Sequence, residues 1–233
     1  MSGLTRRVEW WAVLIALSGT ALSLNVARAQ VSPARPAPAV ESAERSITAL
    51  DRFLTNLRSW ETEFQQTITD ARGREQLPQT GRLWVQRPGR FRWELGSPEP
   101  LQVMVADGAN LWFFDRDLEQ VTVRRASESL TLTPASLLAG GVPLREGFSL
   151  ESMPRRSGLD WVQVTPKAED AEFREARLGF EKDMLKRMEL FDKLGQQVVL
   201  EFSRSRRNQA LDAGVLRFVV PAGADLIGTP VEP

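Results

Sequence analysis

From Trp60 to about Phe202 the chain is written almost entirely in period two. Apolar and polar residues alternate in short segments, and tight-turn signals separate them. Alternation puts every second side chain on one face of a strand, and short strands joined by tight turns pair antiparallel. Trp60, Thr62, Phe64, Gln66 and Ile68 give the first strand, with a turn at residues 70–73. The second strand runs to about Gln86. Arg87-Pro88-Gly89 then turns the chain, because Pro presets φ and Gly accepts the awkward dihedral. The third strand puts Phe91, Trp93 and Leu95 on one side and Arg90, Arg92 and Glu94 on the other. Residues 101–106, 111–114 and 121–123 continue the meander, with a hairpin turn at Asp107-Gly108-Ala109-Asn110. Further strands are expected at 148–153, 159–164, 173–180, 184–191 and 196–202. A polar loop with three arginines is expected at 203–209, then a last strand at 215–220 and an irregular tail. No βαβ pattern interrupts this. A sheet of more than about ten strands curls or closes, so the fold class is mainly β, a barrel or half-barrel of eleven or twelve strands.

Only two segments read as helices. Residues 41–59 carry Ile47, Leu50, Phe53 or Leu54, and Leu57 at three-to-four spacing. Residues 135–139 form a short apolar helix, with Thr133 as N-cap, Pro134 at the first helical position and Gly140-Gly141 ending it. Two helices must therefore cover the mouth of a long sheet. The five Trp left beyond the leader and the eleven Phe sit mostly on alternating strand positions. An apolar sheet face wider than its cover is suited to holding a ligand.

The N-terminus reads as an export signal. Arg6 and Arg7 precede an apolar run from Trp10 to Leu24, and Ala27-Arg28-Ala29 forms a cleavage triplet. The expected organisation is a signal peptide over 1–29, a Pro/Ala-rich leader over 30–40 and one domain over 41–233. Arg6, Arg7, Arg28 and Glu9 leave with the signal, so 30 basic and 30 acidic residues become 27 and 29. Nothing in that balance points to nucleic acid. The sequence contains no Cys and no His, which removes disulfides, thiolate and imidazole metal ligands, the Ser-His-Asp arrangement and a lipidated Cys. Such a chain suits an oxidising periplasm. Asp115 and Asp117 read as turn chemistry rather than as a catalytic pair. No cofactor or metal is expected, and the chain is expected to be a monomer without enzymatic activity.

Leu83-Trp84-Val85-x-Arg87-Pro88-x-x-Phe91-x-Trp93 resembles the LolA family of periplasmic lipoprotein carriers. The likeness continues through Phe64-Gln65-Gln66-Thr67 and residues 105–114. It extends to the Thr133-Pro134 helix, to Leu159-x-Trp161-Val162-Gln163-Val164-Thr165-Pro166 and to Phe218-x-x-Pro221, about residues 44–225 in all. The resemblance implies an incomplete antiparallel β-barrel of about eleven strands closed by a helical lid. It implies binding of triacylated lipoproteins, received from an inner-membrane lipoprotein-releasing ABC transporter and passed to an outer-membrane receptor lipoprotein. Arg87 matches the family's latch arginine, and its partners are expected at the carbonyl end of the lid helix, Leu138 and Ala139. Phe91 is implied at the rim, facing transporter or cargo. Trp84, Phe91, Trp93, Trp112, Leu137 and Leu138 are the candidates for cavity or lid lining. Phe114 stands where the family often has Tyr, and Gly140-Gly141 is richer in glycine than the family pattern. The same fold also serves in lipid- or lipoprotein-sensing modules of the envelope, the alternative reading. Such modules usually carry a second domain or a tether, for which the expected single domain leaves no room.

Overall fold

The computed structural model describes residues 38–129, 134–140, 143–169, 171 and 173–232. The expected signal peptide, Thr133 and Gly141 lie outside the described residues.

Helix α1, Pro38–Leu54, starts three residues before the expected boundary and ends five before it. Ala49, Leu50 and Phe53 form its buried face. Asn56 ends the helical path with φ of 58°, a left-handed conformation that Asn tolerates better than most residues. The chain is then free to enter β1 at Ser59 instead of continuing as helix.

Twelve strands form one sheet: β1 Ser59–Thr69, β2 Gln79–Gln86, β3 Arg90–Leu95, β4 Gln102–Ala106, β5 Asn110–Asp115, β6 Gln120–Arg125, β7 Phe148–Arg156, β8 Leu159–Pro166, β9 Phe173–Glu181, β10 Met184–Asp192, β11 Gln197–Arg207 and β12 Asp225–Ile227. The order is β12-β6-β5-β4-β3-β2-β1-β11-β10-β9-β8-β7. Two meanders, β1–β6 and β7–β11, join where β1 pairs with β11. Strands β12 and β7 are the two edges and do not pair with each other, so the barrel is incomplete. Between β6 and β7 the described residues include three short helices, α2 Ala126–Ser129, α3 Pro134–Ala139 and α4 Leu144–Gly147.

Two expectations change at the C-terminal end. The expected loop over 203–209 is largely strand, since β11 runs through Arg207. Two of its three arginines pair along the ladder with β1: Arg204 with Glu63 at 3.0 Å and Arg206 with Glu61 at 2.8 Å. The expected strand over 215–220 is not a strand. Its Phe218 and Val220 serve packing instead and, with Ala224 further on, lie on Val103, Val105, Trp112, Val121 and Val123 of the outer face. The last ladder is made by β12, and it is parallel to β6.

The main core lies on the inner face. Helix α1 packs over β7–β10 and α3 over β2 and β3. Phe53 of α1 meets Trp60 at 5.3 Å and Phe180 at 5.8 Å between ring centroids. Each helix alone has too narrow an apolar stripe to cover the sheet, so the two divide it.

Candidate functional site

Strand pairing sorts the aromatic residues by face. Leu83, Trp93, Met104 and Phe113 stand opposite one another across β2–β5, and so do Val85, Phe91, Ala106 and Leu111. These rows carry the inner, helix-covered face. The intervening row, Trp84, Arg92, Val105, Trp112 and Val123, points the other way. Trp84 and Trp112 are therefore not lining residues of the covered face. Trp112 stacks on Phe218 at 5.2 Å and donates its indole N–H to Asp107 at 2.7 Å. Trp84 lies under the Arg82 guanidinium, in an outer groove of 550 Å³. The reason is the period of two, in which one residue of offset moves a side chain to the opposite face.

The other candidates stand on the inner face. Phe91 is fully buried there and is not a rim residue. Trp93 packs against Phe64 with centroids 4.1 Å apart and the ring planes tilted by 34°. Gly81, across the ladder from Phe64, makes room for that ring, because a Cβ at 81 would run into Phe64 and the Glu94 carbonyl. Leu137, Leu138 and Ala139 of α3 are buried over β2 and β3. Together these residues form a continuous apolar surface with Leu50 and Phe53 of α1.

The two helices meet at the β2–β3 turn. Arg87 donates from Nη1 to the Leu54 carbonyl, the last of α1, at 3.0 Å. Its main-chain N–H goes to the Arg58 carbonyl at 2.9 Å. Gly89 donates its main-chain N–H to the Ala139 carbonyl, the last of α3, at 2.8 Å. Gly140 follows with φ of 73° and lies flat against the guanidinium, so that a Cβ there would sit 2.7 Å from Arg87 Cζ. The expected donor to the end of α3 is thus present, but it is the turn's backbone. The Arg87 side chain touches the end of α3 at Gly140 and makes its described hydrogen bond to α1.

Helix ends leave carbonyls unpaired and carry partial negative charge, so a guanidinium placed between two of them is favourably sited. Burial pulls the Arg87 pKa below the ordinary arginine value. The group remains a cation at physiological pH, since guanidinium deprotonates only under strongly basic conditions. Its hydrogen bond to a carbonyl is therefore charge-assisted. The sequence reading missed Leu54, Gly89 and Gly140 as parts of this closure. Only the glycines carried a local signal, as turn and helix-stop residues.

Open edges, a continuous apolar inner face and helices meeting over it at a single turn define a class, the lidded incomplete barrel. Residues 55–219 match the family model described as outer membrane lipoprotein carrier protein LolA. An outer-membrane lipoprotein carrier protein from Dechloromonas aromatica (strain RCB) is 41% identical over 183 residues, 78% of this chain and 88% of that one. One of the same name from Chromobacterium violaceum is 35% identical over 199 residues, 85% of this chain and 94% of that one. A crystal structure of an uncharacterized conserved protein from Thermus thermophilus matches with a TM-score of 0.47 at 16% identity, over 78% of this chain and 97% of that one. The chain belongs to the LolA family.

Proposed function

We propose that this chain is a periplasmic carrier that takes the acyl chains of lipoproteins released from the inner membrane and delivers them to a receptor at the outer membrane. Family membership and the named relatives support it. The structural observation that carries it is the inner face: a continuous apolar surface closed by two helices whose carbonyl ends converge on the Arg87–Gly89 turn. Each methylene transferred from water to such a face contributes about 0.8 kcal/mol, so a sixteen-carbon chain gains on the order of 10 kcal/mol. Binding is easy and release is the difficulty. A closed, empty state must be stable enough to compete with the loaded one. Hydrogen bonds that form only when the helices are shut provide that competition.

Donor and acceptor are, in this reading, an inner-membrane ABC transporter and a receptor lipoprotein, and the cargo is triacylated. Residues 1–29 are proposed as a cleaved signal peptide, with the exported chain beginning near Gln30 and its carrier domain following the leader. The carrier works without covalent chemistry. The sensing alternative gains nothing from the relatives, which are named as carriers.

The test is transfer. Wild-type protein incubated with inner-membrane vesicles should collect lipoprotein and pass it to purified receptor. Arg87→Leu should still collect lipoprotein but pass it on poorly, because its shut state is weakened. Normal delivery by Arg87→Leu would overturn the role given to the turn, and failure of the wild type to collect any lipoprotein would overturn the carrier reading.

A further inference from the structure

The two halves of the cover are held in unlike ways. Helix α3 has six residues; it packs Leu137 and Leu138 on the core, and among the described residues its hydrogen bond to the sheet is the Gly89–Ala139 main-chain bond. Helix α1 is fastened at several points from Ser46 onward. Ser46 Oγ lies 2.7 Å from Ser152 Oγ of β7. Arg52 pairs with Asp183 at 2.7 Å, and Asp51 with Arg145 of α4 at 2.9 Å.

The C-terminal end of α1 is bound from two sides. Arg87 reaches Leu54 from the β2–β3 turn. From the opposite side Arg207, the last residue of β11, donates Nη2 to the Phe53 carbonyl at 2.7 Å, and its guanidinium lies 5.1 Å above the Phe53 ring. Asn208 then pins the connection into β1. Its Oδ1 accepts from the Arg58 N–H at 2.8 Å and its Nδ2 donates to the Asn56 carbonyl at 2.9 Å. The Nε of Arg207 is buried without a hydrogen-bond partner among the described residues. Such a group is costly unless its placement serves another contact, and here that contact is the end of α1.

We propose that Arg207 and Asn208 are positioning residues that keep α1 seated while the lid opens, so that α3 is the moving half of the cover and α1 a fixed wall. The inference rests on the carrier reading and deepens it. Breaking the contacts of the β2–β3 turn frees α3 and removes Arg87 from Leu54. It leaves the α1 carbonyls with a second cation, mounted on the end of β11, where Arg207 stands opposite Trp60 of β1 in the ladder. The ends of α1 and α3 therefore part at the Arg87 guanidinium. Acyl chains enter over β2 and β3, beneath α3, and the Phe53–Trp60–Phe180 contacts under α1 persist in the loaded state.

The chain has no Cys, so Ser46→Cys with Ser152→Cys introduces a single possible disulfide, tying α1 to β7. Oxidised and dithiothreitol-reduced forms are titrated with 1-anilinonaphthalene-8-sulfonate. The expected result is an affinity that differs by less than about twofold between them. Saturable dye binding that disappears on oxidation and returns on reduction would overturn the fixed wall. A second measurement needs no ligand. In hydrogen exchange, Arg207→Met should speed exchange in the last turn of α1 on the order of tenfold while leaving α3 unchanged, and Arg207→Lys should fall between Arg207→Met and wild type. Equal acceleration of both helices would mean that the cover opens as one piece and would sink the proposal. Absence of saturable dye binding in both redox states would count against the carrier reading, and the exchange result would still decide the role of Arg207.

Discussion

Arg87 joins parts of the chain that are far apart in sequence. It lies 33 residues from the carbonyl it serves and faces a glycine more than 50 positions later. The bond to Leu54 is charge-assisted but half-exposed, so about 1.5 kcal/mol is a fair magnitude for it. Arg87→Leu should lower the melting temperature by about 3–6 °C in a domain of this size, read by calorimetry on the empty protein. An unchanged transition would mean that the guanidinium contributes nothing to the shut state. Gly81 makes a second residue-level case. Its place opposite Phe64 admits no side chain, and overpacking of this kind costs about 1–3 kcal/mol. Gly81→Ala should shift the urea midpoint accordingly and disturb the Phe64–Trp93 ring contact. A cost under about 0.5 kcal/mol would show that the ring relaxes freely.

At the scale of elements, the sheet is covered on both sides, by different means. Helices close the inner face, and the returning C-terminal segment covers the outer strip around Trp112. The two covers should be separable. Phe218→Ala removes the ring stacked on Trp112 and should cost about 2 kcal/mol, less than a fully buried Phe because Phe218 is only partly buried. Trp112 emission should shift to the red while hydrophobic dye binding at the inner face stays intact. Loss of dye binding in Phe218→Ala would show that the two faces are coupled through the sheet.

The whole molecule lacks the side chain that ordinarily titrates near neutrality, since there is no His. Asp70 has its pKa lowered, first by the Arg74 backbone N–H and further by the Arg74 and Arg72 contacts. A carboxyl depressed in the folded state contributes stability above its unfolded pKa and loses it as pH falls through the folded value. That contribution is therefore confined to acid. The melting temperature should stay within about 2 °C between pH 6 and pH 8.5 and fall only in the acid range. A slope near neutrality would reveal a strongly perturbed group.

The alternation between Trp60 and Phe202 by itself determined a large antiparallel sheet of short strands. The turn residues set its hairpins, and the apolar spacing around Leu50 and Phe53 set the first helix. Together with the motif around Arg87 these were enough for the family. Such features are local, with periods of two and 3.6 residues and a few turn chemistries, and local patterns are written directly in neighbouring residues. Tertiary structure alone decided three further matters. It put Trp84 and Trp112 on the outer face and Phe91 and Trp93 on the inner one, because alternation defines two faces without saying which is covered. It folded residues 215–220 onto the outer face without a ladder, because the same alternation suits a packed coil once β12 occupies the edge of β6. It also paired the ends of α1 and α3 with Arg87, Gly89 and Arg207. A carbonyl's donor is chosen by proximity in space, and the Phe53–Arg207 contact spans 154 positions of sequence, a separation over which no local pattern carries information.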